Sequence, residues 1–135
     1  MSTRLKDLVP ILMCDDVPQS IDFYTRVLDF SVKSRMDDLG KSGWAYLTNG
    51  PVDLMLASPA YLPEPVKVDG QYPQLHLYFY PDDVRSLRET VVQHGHPASE
   101  LALRIYGMLE FEVVDPSGHV LVFGQEAEDG ELVVP

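Results

Sequence analysis

The sequence predicts an α+β fold made of two βαβββ modules in succession, and three observations predict it. An apolar run of strand length followed by aspartates, a proline and an apolar helical pattern occurs twice, near residues 8–28 and 75–92. Each helical pattern is followed by three strand-like runs. Between the two halves lies a stretch with Pro59, Pro63, Pro65 and Pro73 and no clear period. The repeat is one of organisation, not of letters.

Taken in order, Leu8 to Cys14 is the first strand. Asp15, Asp16 and Pro18 then open a helix with apolar positions at Val17, Ile21, Tyr24, Val27 and Leu28. Spacings of three and four place these on one face, with acidic residues at the positive end of the helix. Strands are expected at Phe30 to Met36, Gly43 to Thr48 and Val52 to Ala57, the last two joined by a turn at Asn49-Gly50-Pro51. The segment 58–73 reads as a linker or binding loop. Gln74 to Tyr80 restarts the pattern as a strand. Pro81-Asp82-Asp83 opens the second helix, whose apolar face is Val84, Leu87, Val91 and Val92, and Gly95 and Pro97 end it. The remaining strands fall near Ser99 to Ile105, Met108 to Val114 and His119 to Gly124, with Asp115-Pro116-Ser117-Gly118 as the turn between the last two.

The chain of 135 residues suits one domain: modules at 7–57 and 74–125, the loop between them, and an acidic tail at 126–135 that reads as a loosely ordered end. Apolar content of 45% with 23% charged residues is that of a soluble globular protein. No apolar run approaches the ~18 to 20 residues needed to span a bilayer. The opening MSTRLKDLVP lacks the layout of a secretory signal. The lone cysteine, Cys14, lies in an apolar run and reads as a small core residue in a reducing, cytoplasmic setting. A net charge of −11 argues against nucleic acid as partner and favours cationic ligands.

Three segments carry a family resemblance: SIDFYTRVLDF (Ser20 to Phe30), HLYFYPDDV (His76 to Val84) and FEVVDPSGHVLVFGQ (Phe111 to Gln125). Together, spanning roughly residues 7 to 125, they resemble the glyoxalase, bleomycin-resistance and extradiol-dioxygenase (vicinal oxygen chelate) superfamily. Asp29 departs from the pattern, since the family usually has Gly after the first helix. The resemblance implies that each module's four strands curl into a half-barrel and that half-barrels paired in a homodimer enclose a cavity. It also implies a metal site in the metal-dependent members, whose four ligand positions map here to Val9, Met55, His76 and Val122. Two valines and a thioether do not suit zinc, nickel or manganese, and one His alone does not hold such an ion. A metal-free protein without a cofactor is therefore expected.

Alternation along the strands then sorts the faces. Leu75, Leu77 and Phe79 should lie under the helix, and His76, Tyr78 and Tyr80 in the groove. Likewise Ala45 and Leu47 go to the helix side, Trp44 and Tyr46 to the groove, with Asp53 and Met55 beside them. Leu109, Phe111 and Val113 go under the second helix, leaving Met108, Glu110 and Glu112 for the cavity; Tyr106 and Tyr61 border it from loops. The expected ligand-binding set is Trp44, Tyr46, Met55, His76, Tyr78, Tyr106, Glu110 and Glu112, with no catalytic residue assigned. Rings stack on flat ligands and attract cations, and carboxylates pair with ammonium groups, so a cationic or aromatic small molecule is the expected partner. The metal-free bleomycin-resistance proteins, which the VPILMCDD opening and DPSGHVLVFGQ ending resemble, are acidic homodimers that sequester a cationic drug at the dimer interface. An alternative is a lyase, isomerase or thiol transferase using His76 and a groove carboxylate as acid and base. A displaced metal set of His76 with Glu110 or Glu112, or a ligand-sensing partner of another protein, are further alternatives. His94, His96 and His119 form no site: the first two flank Gly95 at a helix end, and the third sits in a turn.

Overall fold

The computed structural model describes residues 3–37, 40–61 and 75–128, which divide into two compact units within residues 1–67 and 68–135. Each unit is one βαβββ module. The first runs β1 (Ile11–Met13), α1 (Val17–Arg26), β2 (Ser31–Asp37), β3 (Gly43–Asn49), β4 (Val52–Ala57). The second runs β5 (His76–Phe79), α2 (Val84–Gln93), β6 (Ala102–Leu103), β7 (Met108–Val114), β8 (Val120–Glu126). The sheets have the same plan, β1-β4-β3-β2 and β5-β8-β7-β6, with the first strand parallel to the last and all other pairs antiparallel. No helix among the described residues is long and apolar enough to cross a membrane.

In the first module the Asp16 carboxylate caps α1 by accepting from the Gln19 N–H at 3.0 Å, which satisfies a donor that the helix itself leaves unpaired. Ile21, Tyr24, Val27 and Leu28 are buried, along with Phe23. Tyr24 meets Phe23 and Phe30 edge-on, with centroids 5.1 and 5.7 Å apart. Across from them Ala45, Leu47, Leu54 and Leu56 form the sheet side of the core, with Cys14 fully buried beside them. The helix ends where Asp29 turns into the left-handed region at φ 60°, a conformation that aspartate tolerates better than most side chains. The Asn49 amide then donates to the carbonyls of Leu28 and Asp29.

The second module uses the same devices. Asp83 caps α2, accepting from the N–H groups of Arg85 and Ser86, and the side chain of Gln125 accepts from the Val84 N–H at 2.8 Å. Val84 and Val91 are buried against the sheet. On that side, Phe79, Phe123 and Phe111 are register partners on three neighbouring strands. Their rings stack in series at 5.1 and 5.2 Å. In the turn after β7 the buried Asp115 carboxylate accepts from the N–H groups of Ser117 and His119, and Gly118 takes φ 94°.

Three expectations need correction. The first strand is shorter than Leu8 to Cys14: Pro10 brings no N–H to the ladder, although its carbonyl accepts from Met55, and Leu8 is exposed. The strand expected at Ser99 to Ile105 contracts to Ala102–Leu103. Ser99 still pairs with Glu112, but irregularly. Its N–H donates to the Glu112 carbonyl, while its hydroxyl, not its carbonyl, takes the Glu112 N–H at 2.7 Å. The Ser99 carbonyl is turned toward α2, where it accepts from Arg88 Nε at 2.7 Å. Ile105 lies exposed in the turn that follows β6. Finally, two apolar side chains expected inside are exposed: Val92, so that the buried stripe of α2 is narrower than its sequence suggests, and Leu75, which precedes β5. Much of the expected loop 58–73 and acidic tail 126–135 lies outside the described residues; Pro59–Tyr61 forms a short 3-10 turn.

Candidate functional site

Strand alternation places the candidate residues on the face of each sheet turned away from its helix. In the first module, Trp44, Tyr46 and Met55 are half-buried between fully buried neighbours. Tyr46 faces Met55 across the ladder, and Trp44 faces Ala57. The Tyr46 hydroxyl donates to Asp53 at 2.7 Å, one row along. Lys33, at a bulge in β2, sits 5.0 Å over the Tyr46 ring, within cation–π range. The bond to Asp53 raises the Tyr46 pKa, and the same bond lowers that of Asp53.

The second module holds a denser arrangement. Glu110 is only 3% exposed, yet three side chains converge on its carboxylate. Tyr78 and Tyr106 donate their hydroxyls to Oε2 at 2.6 and 2.7 Å, and Arg104 donates Nε to Oε1 at 3.3 Å. Tyr78 comes from β5 and Glu110 from β7, so the ring must cross β8 to reach it. It crosses at Gly124. A Cβ there would collide with the Tyr78 hydroxyl, meet its Cζ at 2.7 Å and crowd Glu110 Cγ at 3.2 Å. A glycine inside a strand weakens it unless something needs the space, and here the ring needs it.

Burial and then the bond to Glu110 push the Tyr78 pKa well above the ordinary phenol value; for Tyr106 the bond to Glu110 comes first. Both phenols therefore stay protonated donors through neutral pH and are unsuited to act as bases. Buried and held by three donors, Glu110 is not open to pair with a ligand's ammonium group. What the face offers outward is aromatic: Tyr78, Tyr80 and Tyr106 are exposed, and the rings of Tyr78 and Tyr80 lie 5.0 Å apart.

The structure separates other candidates. Glu112, two residues beyond Glu110, is exposed. His76 is exposed in the row of Val120 and Val114, whereas Glu110 lies in the row of Gly124, at the far end of β5. Both Glu110 oxygens are engaged elsewhere, so Glu110 is not free to serve as the groove carboxylate of the alternative acid–base reading with His76. Tyr61 closes a short turn in the first module. Two contributors escaped sequence reasoning. Arg104 falls in the stretch Ser99 to Ile105 that the pattern predicts as regular strand. Lys33 lies at a bulge, where alternation is interrupted. The only signal for Arg104 was a lone cation two residues before Tyr106 on a strongly acidic chain.

The metal-ligand positions implied by resemblance do not fit an ion. Val122 is buried and apolar, Val9 and Met55 are half-buried, and His76 is the single nitrogen donor among the four. Among the described residues no three His, Cys, Asp or Glu side chains are grouped to hold a metal.

A duplicated βαβββ protein with one open strand face per module is the class that this architecture defines. The chain belongs to the Glyoxalase/Bleomycin resistance protein/Dioxygenase superfamily, whose family model matches residues 6–123. Its fold is similar to that of TioX from Micromonospora sp. ML1, at 20% identity and a TM-score of 0.72, covering 90% of this chain and 99% of that one. It is also similar to lactoylglutathione lyase from Agrobacterium tumefaciens, at 20% identity and a TM-score of 0.67, covering 90% and 94%. A structure from the mobile metagenome of V. pseudocholerae is similar at 22% identity and a TM-score of 0.70, covering 95% and 100%. At these identities the likeness establishes the fold alone. No curated protein matches the chain.

Proposed function

We propose that this protein is a metal-independent small-molecule binder of the bleomycin-resistance type, taking a flat aromatic or cationic ligand on its tyrosine-bearing strand face. One observation carries the reading: a buried carboxylate, Glu110, is devoted to holding Tyr78, Tyr106 and Arg104 in place. A buried charge is a poor way to stabilise a fold, since an apolar side chain of similar volume does as well or better. Its use here makes sense as preorganisation of the rings that the ligand stacks on. The ring faces meet a cation by about 0.5 to 2 kcal/mol each, and the net charge of −11 draws cations toward the molecule.

On this reading the ligand lies in a groove between strand faces in a homodimer, with Trp44, Tyr46, Met55 and His76 contributing walls. The exposure of Ile11, Met13 and Met36 in one module, and of Tyr78, Tyr80 and Tyr106 in the other, supports association through these faces. The buried thiol of Cys14 suits a cytoplasmic setting.

Thermal unfolding against a panel of divalent metals, bleomycin, small thiols and flat aromatic cations tests the proposal. A ligand at about 100 times its Kd adds ~2.7 kcal/mol, a rise in Tm on the order of 10 °C. Aromatic cations should raise Tm, and Tyr78→Ala and Tyr106→Ala should each reduce that rise. A response to metals and none to aromatics would overturn the reading. Silence to bleomycin alone would remove only its drug-specific form.

A further inference from the structure

Glu110 and Glu112 stand on the same face of β7, yet only Glu110 is consumed internally. Glu112 is fixed at its backbone, with Ser99 bonding both its N–H and its carbonyl. Its carboxylate is exposed and makes no ion pair with any described residue. It borders a shallow depression of about 280 Å³, lined also by His96, Pro97, Ala98, Ser99 and Val114.

The path of the chain after α2 makes this depression. The His96 ring is bonded through Nε2 to the Val114 carbonyl at 2.8 Å, and Ser99 is bonded to Glu112. The intervening Pro97-Ala98 bows between these two fixed points. Pro97, Ala98 and Val114 give the hollow apolar walls, and Glu112 gives it one negative charge. Its volume is below the ~300 to 1,000 Å³ of sites that enclose a whole drug-sized ligand. It has room for an alkyl chain ending in a cation, with the apolar walls against the chain and Glu112 against the charge.

The hollow adjoins the tyrosine face. Tyr78, Val122 and Glu112 occupy a single row across β5, β8 and β7. With strands ~4.8 Å apart, Glu112 is about 10 Å from the base of Tyr78 and about 7 Å along its own strand from Glu110. An aminoalkyl chain of a few carbons covers the shorter of these distances, from a ring seated beside Glu110 to Glu112.

We infer that the hollow at Glu112 is an ammonium subsite, and that the ligand is a flat aromatic compound with a pendant aliphatic amine: ring over Tyr78 and Tyr106, amine against Glu112. The inference rests on the aromatic-binding reading above and specifies its ligand. Glu110 preorganises the rings, and Glu112 selects the charge.

The test compares two probes by titration calorimetry on the full chain: quinacrine, an acridine with an aminoalkyl chain, and aminoacridine, which has the ring but no chain. Quinacrine should bind more tightly. Glu112→Gln should weaken quinacrine by about two- to five-fold, the scale of a solvent-exposed ion pair, and leave aminoacridine unchanged. Ala98→Phe, which crowds the hollow and leaves Glu112 in place, should also reduce the preference. If wild type binds both probes equally, or Glu112→Gln affects both alike, the subsite is wrong while the aromatic reading stands. If wild type binds neither, the aromatic reading itself fails and takes the subsite with it.

Discussion

The two modules share a strand order, a capping aspartate before the helix and a left-handed residue after it, but they use tyrosine and carboxylate differently. In the first, Tyr46 reaches Asp53 on the adjacent strand, in the open, with Lys33 above the ring. In the second, Tyr78 reaches over a whole strand to a buried Glu110, which also gathers Tyr106 and Arg104. The same hydrogen bond is thus a surface latch in one module and a buried hub in the other. Distance across the sheet makes the difference: the longer reach requires a glycine beneath the ring, and the ring then shields the carboxylate from water.

The strongest way to break this contrast is to remove each carboxylate in turn. Glu110→Ala strands two phenols and an arginine and should cost about 2 kcal/mol in denaturant unfolding, a figure held down because Arg104 is 43% exposed. Asp53→Ala should leave the midpoint within experimental error. Equal losses at both sites would show that the hub is no more than a second latch.

Next comes the glycine. Gly124→Ala should destabilise by roughly 1 to 3 kcal/mol through overpacking. In a Tyr78→Ala background the same change should cost almost nothing, because Glu110 Cγ at 3.2 Å has only to give slightly. Additive losses in this double-mutant cycle would mean that Gly124 serves something other than the ring.

Alkaline pH sharpens the comparison further. Tyr78 and Tyr106 have pKa values raised above the ordinary 10.0. The folded state therefore holds protons that the unfolded chain releases, so their stabilisation is complete below about pH 10 and is lost as pH climbs through their folded values. Tyr46 acts in the same sense, while Asp53, lowered from 3.8, loses its contribution as pH falls through its folded value. In a tyrosine absorbance titration, part of the phenol signal should lag, and Tyr78→Phe should remove a share of that lag. The smallest effect concerns the helix ends. Asp29 at φ 60° does the work that Gly95 does at φ 78° in the second module. Asp29→Gly should stabilise by about 0.5 kcal/mol or less, and Gly95→Asp should cost a similar amount, read from denaturant midpoints.

Much of this was legible in the sequence because it follows from local rules. Alternation sorted Ala45 from Trp44 and Phe111 from Glu112, and the burial agrees, whereas Glu110, expected on the groove face, is buried as well. Aspartates before apolar helical spacing marked both caps, and DPSG marked its turn. What alternation does not reveal is how a side chain leans once it leaves its strand. Glu110 and Glu112 look alike in sequence; the reach of Tyr78 across Gly124 gave one of them a buried role and left the other in water. Arg104 and Lys33 were hidden for a related reason, since each sits where the strand becomes irregular. Val92 shows the opposite failure: an apolar letter at helical spacing that stays exposed while Val91 beside it is buried.

The irregular margin at β6 also bears on how the chain behaves when crowded. Only two residues there form regular ladder, Pro97 lacks an N–H, and the Ser99 carbonyl is occupied by Arg88. A foreign strand laid along that margin finds few groups to pair with, so it is a poor template for fibril growth. The exposed rings lie on a face instead. Contacts made through a face close into a finite assembly when they pair two-fold, whereas contacts along an open sheet margin propagate.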